Sequence, residues 1–225
     1  MKKIFAVILA LCVTFTLAAC SAQSGETTAD DQTTNSTANT SAPEETVSDT
    51  REDDTSAEET GSKVLVAYFS CTGNTEGIAK HIVNILGADV YQIVPEEPYT
   101  DPDLNYNDSS SRTMIEMNDS TSRPAISGSV ENMEDYDIIF IGYPIWWGQA
   151  PHIVYTFFES YDFSGKTIVP FCTSGSSGVG SSATNLQALA PDSTVWLDGT
   201  RLASSASQSD IEAWLGGLGL DIFEN

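Results

Sequence analysis

Val64-Leu65-Val66-Ala67-Tyr68-Phe69 and Ile138-Ile139-Phe140-Ile141 are apolar at every position rather than at alternate ones. A strand with one wet face alternates polar and apolar side chains, so unbroken runs of this kind mark strands covered on both faces. Between and after them, helical patterns alternate with further short runs. Ile78, Ile82 and Ile85/Leu86 share one face of a helix over 75–86, and Gly87 stops it. Residues 90–94 read as a second strand ended by Pro95, and 138–141 as the third. A helix follows over 153–160, then a fourth strand over 167–171 in which Pro170 is out of place for a central position. A helix over 183–189, a short fifth strand over 194–197 and a last helix over 209–215 complete the pattern. This alternation predicts a parallel sheet with helices on both faces. Ligands of such sheets bind at the carboxyl ends of the strands, where the strand order reverses.

The first such end is Ser70-Cys71-Thr72-Gly73-Asn74-Thr75, between the first strand and the first helix. The turn and the first helical turn present unpaired N–H groups, and the helix dipole favours an anion there. Gly73 permits a backbone conformation that a side chain would forbid. The hydroxyls of Ser70, Thr72 and Thr75 and the amide of Asn74 supply further hydrogen bonds. No Lys or Arg lies in the turn, and neither the dinucleotide glycine pattern nor GxxxxGK[ST] is present. The motif therefore reads as a phosphate cradle built from neutral donors. The competing reading is an ordinary strand-to-helix turn with a capping Thr.

The two other carboxyl ends are also unusual. The third strand runs into Gly142-Tyr143-Pro144-Ile145-Trp146-Trp147-Gly148-Gln149-Ala150-Pro151. Adjacent tryptophans flanked by Pro and Gly form a flat apolar wall for a heteroaromatic ring. Alternatively they seal the sheet top against residues 95–135. Adjacent residues do not present the same face, so one ring stacks while the other packs. The fourth strand runs into Cys172-Thr173-Ser174-Gly175-Ser176-Ser177-Gly178, whose backbone N–H groups and small hydroxyls suit the polar edge of such a ring.

These three loops resemble the FMN-contacting loops of flavodoxins, across about 63–215. The resemblance is most specific at Ser70–Thr75, similar to [ST]-x-T-G-N-T, and at Pro144-Ile145-Trp146-Trp147-Gly148, similar to a PIWWG variant of bacterial flavodoxin-family proteins. It implies a flavodoxin-like three-layer α/β sandwich with a five-stranded parallel sheet, and FMN as cofactor. Ser70, Cys71, Thr72, Gly73, Asn74 and Thr75 would surround the phosphate. Pro144, Ile145, Trp146, Trp147 and Gly148 would bound the ring, and Thr173, Ser174, Gly175 and Ser176 would line its polar edge. No side chain is expected to act as a catalytic acid, base or nucleophile. The chain departs from electron-carrier flavodoxins in its excursion over 95–135 and in a fourth-strand loop that lacks the usual aromatic-x-Asp. The excursion reads as a lid, a covering helix or a loop. Its Arg112 and Arg123 are expected to pair with nearby acids.

Outside the domain, residues 1–20 read as an export signal: Lys2 and Lys3, an apolar run from Ile4 to Leu17, then Ala18-Ala19-Cys20. Leu17-Ala18-Ala19-Cys20 resembles a bacterial lipobox, which implies lipidation of Cys20 and an extracytoplasmic domain tethered to the cell membrane. An uncleaved N-terminal anchor is the alternative. Residues 21–62 are almost entirely Ser, Thr, Ala, Asn, Gln, Asp and Glu, too polar to repay the entropy of ordering, and read as an acidic linker. The domain over 63–225 holds 6 basic residues against 21 acidic ones, a formal charge of −15 that argues against nucleic-acid partners. Its two cysteines, Cys71 and Cys172, end different strands and are not expected to bridge. No spacing of Cys, His and carboxylates suggests a metal site, and His81 and His152 read as surface or capping residues. The expected function is extracytoplasmic electron transfer, with a redox protein or a small oxidant as partner. An FMN-dependent reductase of quinones or similar oxidants, and a tethered binding domain without flavin, are the alternatives.

Overall fold

Alternate residues of the apolar runs serve two different cores. The structure, a computed structural model, describes residues 61–222. The signal segment, the lipidation position Cys20 and most of the acidic linker lie outside the described residues. In chain order the elements are β1 (Val64–Tyr68), α1 (Asn74–Leu86), β2 (Asp89–Gln92), β3 (Val94–Pro95), α2 (Arg112–Asn118), β4 (Ile126–Ser127), β5 (Ile138–Pro144), α3 (His152–Glu159), β6 (Thr167–Thr173), α4 (Ser182–Gln187), β7 (Val195–Trp196), β8 (Thr200–Arg201) and α5 (Gln208–Gly216). The main sheet is parallel throughout and runs β2-β1-β5-β6-β7, with β8 continuing the edge beside β6. This is the doubly wound order with its reversal between β1 and β5. It is the five-stranded flavodoxin-like arrangement expected from the sequence.

Leu65, Ala67, Ile139, Ile141, Tyr143, Ile168 and Cys172 point to one face, where Ile153, Val154, Phe157 and Phe158 of α3 and Leu186 of α4 cover them. Val64, Val66, Tyr68, Ile138, Phe140, Val169 and Phe171 point to the other, against Ile78, Ala79 and Ile82 of α1 and Ile211 and Leu215 of α5. The period of two along the strands thus feeds both layers. Each large aliphatic or aromatic side chain buried this way contributes about 1.5–3 kcal/mol. α1 ends at Gly87 in the left-handed conformation, φ 62°, as the sequence predicts. α5 starts with a reciprocal capping box between Ser207 and Asp210.

Pro170 does sit in a central strand, and the edge beside it explains why. The carbonyls of Lys166, Ile168 and Cys172 accept from Val195, Leu197 and Leu202, so even-numbered backbone groups of β6 face β7 and β8. The donor that Pro170 lacks therefore points into the gap between β7 and β8, where no ladder partner waits. Gly199 fills that gap; a Cβ there would lie 3.2 Å from the Pro170 Cβ and 3.0 Å from Val179. The fifth strand expected over 194–197 is accordingly only Val195–Trp196, and the edge resumes outside that range at Thr200–Arg201.

Two other expectations change. Residues 90–94 are not one strand: β2 ends at Gln92, the Ile93 N–H donates to the Tyr68 carbonyl at 2.7 Å, and Val94-Pro95 pairs antiparallel with Ile126-Ser127. Pro95 is tolerated because this two-stranded ladder leaves it on an edge. The third and fourth strands run further than expected, since pairing continues through Tyr143↔Cys172 to Pro144↔Thr173. Gly142 makes this possible. A Cβ on it would stand 2.2 Å from the Phe171 ring, which is fully buried.

Gly142→Ala should therefore cost about 1–3 kcal/mol by overpacking, read from urea unfolding. Adding Phe171→Leu should recover part of that loss in the double variant, because the methyl and the ring compete for one volume.

Candidate functional site

The turn after β1 is shaped by one glycine. Gly73 precedes α1 with φ 81°, a region that a side chain makes costly, and its carbonyl accepts the Gly77 N–H at 2.9 Å. No side chain caps the helix, so the leading N–H groups of α1 keep their capacity for an anion. Thr72 is exposed and its Oγ1 accepts from Asn74 Nδ2 at 3.1 Å. Thr75 is buried and shares a 2.8 Å hydrogen bond with Thr173. That bond ties the turn after β1 to the end of β6, two strands away in the sheet.

A cleft of about 500 Å³ opens between these ends, within the range of small-molecule sites. Ser70, Cys71, Thr72, Asn74 and Thr75 line it from the first loop, Pro144, Ile145 and Trp146 from the second, and Thr173, Ser174 and Gly175 from the third. The sequence therefore located three separate segments that the fold brings to one place. Gly73, Trp147, Gly148 and Ser176 stand off the lining. Four lining residues escaped the sequence reading: Asp101, Leu104 and Tyr106 of the excursion, and Ser204 beyond β8. Nothing local marks Asp101, Leu104 or Ser204. Tyr106 alone, an aromatic in a polar stretch, carried a usable signal.

The two tryptophans differ: one is buried and one is exposed. Trp146 is 2% exposed and packs edge-on against Phe69 and Tyr99, with centroids 5.6 and 5.4 Å apart. Trp147 is 41% exposed and meets Tyr106 at 5.0 Å. Reciprocal 2.9 Å hydrogen bonds between Trp146 and Gln149 close a two-residue turn whose central residues, Trp147 and Gly148, have φ 45° and 79°. Two positive φ values define a type I′ turn, and a bulky residue in that conformation is strained.

The excursion is a covering structure rather than a free loop. Arg112 lies 4.0 Å over the Tyr99 ring, pairs with Glu116 at 2.6 Å and donates to the Glu97 carbonyl at 2.7 Å. Arg123 pairs with Glu159 at 2.8 Å. Both arginines thus pair with acids, Arg112 locally as expected and Arg123 with a carboxylate of α3, outside the excursion. The loop after β6 is held from β8: the Arg201 guanidinium donates to the Ser174 carbonyl at 3.2 Å and to the Gly175 carbonyl at 3.1 Å. Gln149 bridges the second and third loops, donating to Ser181 at 3.1 Å and accepting from Asn185 at 2.5 Å. His152 is buried at the start of α3, not on the surface, and burial lowers its pKa.

Among the described residues no Lys, Arg or His lines the cleft, and Asp101 is its one carboxylate. An anion there meets neutral donors: hydroxyls, backbone N–H groups and the Asn74 side-chain amide. Burial pushes the Cys71 thiol up to about 12 and Cys172 up to about 11, against a lowering pull from Arg112 and Arg201 respectively. Both are free thiols. Burial, then the hydrogen bond to Glu116 at 2.6 Å, raises the Tyr99 hydroxyl as well.

The model of the flavodoxin family matches residues 63–218. A candidate flavoprotein from Bacteroides eggerthii is 45% identical, with a TM-score of 0.67, over 72% of this chain and 100% of its own. A second, from Bacteroides uniformis, is 43% identical, with a TM-score of 0.66, over 69% of this chain and 99% of its own. A flavoprotein from Lactobacillus acidophilus, solved in complex with FMN, is 19% identical with a TM-score of 0.53 and covers 69% of this chain and 99% of its own. It shares the fold. No curated protein matches the chain.

With its thiol shifted to about 12, Cys71 should resist iodoacetamide at pH 8, where an ordinary thiol is already partly ionised. Mass spectrometry of the native protein should show it unmodified, with labelling appearing as pH approaches 12 or on unfolding. The same shift removes stability as pH rises from about 9 towards 12, because the unfolded thiol ionises first and the folded one stays protonated.

Proposed function

The chain belongs to the flavodoxin family, and we propose that it binds FMN and works as an electron carrier. The observation that carries this reading is the single cleft in which an uncapped helix start, two hydroxyl-bearing loops and a buried tryptophan meet. The donor set fits the cofactor. One end offers neutral hydrogen-bond donors with the positive end of a helix dipole, which suits a phosphate. The other offers apolar and aromatic surface from Ile145 and Trp146, which suits a planar ring.

Ser70, Thr72 and Asn74 would hold the phosphate together with the leading N–H groups of α1. Thr75 would act chiefly through its bond to Thr173, fixing the distance between the phosphate loop and the loop after β6. Ser174 and Gly175 would meet the polar ring edge, their own carbonyls being engaged by Arg201. Bound FMN supplies reversible uptake of one or two electrons. The chain's contribution is to bind, orient and shield it. The formal charge of −15 over 63–225 and Asp101 at the cleft oppose added negative charge, which lowers the reduction potential. We further propose that the domain is exported and tethered through lipidated Cys20, a reading supported by Leu17-Ala18-Ala19-Cys20 and the polar stretch after it.

The full chain, purified, should bind FMN stoichiometrically, with quenched flavin fluorescence. Thr72→Ala should weaken FMN by roughly tenfold, the effect of one hydrogen bond to a charged group, and leave riboflavin affinity unchanged. No flavin bound by the wild-type protein would end the redox reading and favour a binding domain without flavin.

Cys20→Ser should abolish incorporation of labelled fatty acid and move the protein from the membrane to the soluble fraction. Unaltered labelling in that variant would place the lipid on another residue, and an unlabelled wild-type protein would end the lipidation reading.

A further inference from the structure

The loop after β6 brings only Thr173, Ser174 and Gly175 to the cleft, so it offers no aromatic surface. Trp147, the more exposed tryptophan, is not part of the lining. The exposed ring that does reach the cleft is Tyr106, 55% exposed and carried by the excursion between β2 and β5. Resting on the flavin-binding reading above, we propose that Tyr106 is the aromatic wall against which the flavin ring lies, and that Trp147 is a positioning residue that acts through Tyr106.

Three observations converge on this. The excursion is anchored beside the cleft: Tyr99 packs edge-on against both Trp146 and Phe69, and the Arg112 guanidinium lies over the Tyr99 ring. Further along, the Asp108 carboxylate accepts the Ser110 N–H at 2.8 Å, and the Thr113 hydroxyl donates to the Asp103 carbonyl at 2.6 Å. Tyr106 therefore sits on a segment fixed at both ends. Its ring centroid is 5.0 Å from that of Trp147, inside the distance at which aromatic pairs attract. Finally, Trp147 holds a left-handed conformation at φ 45° that a glycine would adopt without strain. That turn places a large ring off the cleft lining and against Tyr106, where the contact limits the tyrosine's freedom.

The cost of ordering a half-exposed tyrosine on ligand binding is then largely met before the ligand arrives. The expected effect is a ring contact, separable from the phosphate contacts of the first loop.

The test is a set of dissociation constants for the full chain with FMN and with riboflavin, joined to visible circular dichroism of the bound flavin. Tyr106→Ala should weaken both ligands by the same factor, roughly three- to tenfold, and alter the visible dichroism. Tyr106→Phe should restore both. Trp147→Ala should weaken both ligands in the wild-type background and have no further effect in the Tyr106→Ala background. Trp147→Phe should recover most of that loss. Equal losses from Trp147→Ala in both backgrounds would show that Trp147 meets the flavin itself and would overturn the assignment. Unchanged affinity and dichroism in Tyr106→Ala, with flavin still bound, would overturn it while leaving the FMN reading intact. Absence of flavin binding by the wild-type protein would end both.

Discussion

Burial of β1, β5 and β6 on both faces is the constraint from which the other features follow. Residues at even and odd positions of these strands are equally apolar, so neither face tolerates water, and helices must cover both. Connections between neighbouring parallel strands then cross over through those helices, and every strand delivers its carboxyl end to the same edge. Phe140, Val169 and Phe171 lean on α1 and α5 while Ile139, Ile141 and Ile168 lean on α3 and α4. The cleft is a product of this geometry. It lies where β1 and β5 send their connections in opposite directions, so no helix fills the space above them.

What converts the gap into a defined site is a small number of polar ties between loops. Thr75 and Thr173 join the first and third loops through a buried hydrogen bond. Gln149 joins the second loop to Ser181 and Asn185, and Arg201 grips the two carbonyls after Thr173. A buried hydroxyl pair is costly to break on one side only, since the remaining group is left without a partner. These ties therefore hold three loops of different strands at fixed separations. Among the described residues the site has no lining cation, although its surroundings are strongly acidic. Its affinity for an anion has to come from the N–H groups, hydroxyls and Asn74 amide of one turn, which act at short range, while the long-range field works against added charge.

The turn at Trp147 shows how local strain is accommodated. A type I′ turn prefers Asn or Gly at its first central position, and here a tryptophan occupies it. The reciprocal backbone bonds between Trp146 and Gln149, together with burial of the Trp146 ring beneath the excursion, hold the turn closed. The strained residue is the one whose ring is presented outward, against Tyr106. Strain at a site of this kind persists only where neighbouring contacts over-determine it.

The sequence by itself determined the two-sided strands, the helix over 75–86 with its glycine stop, and the three loops that carry hydroxyls, glycines and tryptophans. These are properties of short windows: unbroken apolar runs, a period of 3.6, and residues whose backbone preferences are intrinsic. Tertiary structure decided the rest. Pro170 looked wrong for a central strand until the gap between β7 and β8 removed the need for its missing donor. Residues 90–94 looked like one strand until Ile126 and Ser127 paired with its end. Tyr106, Leu104 and Arg201 reached the site from segments with no motif of their own. Such facts depend on which distant backbone lies alongside, and no local pattern encodes that. It emerges only when the two cores close and fix every loop against its neighbours.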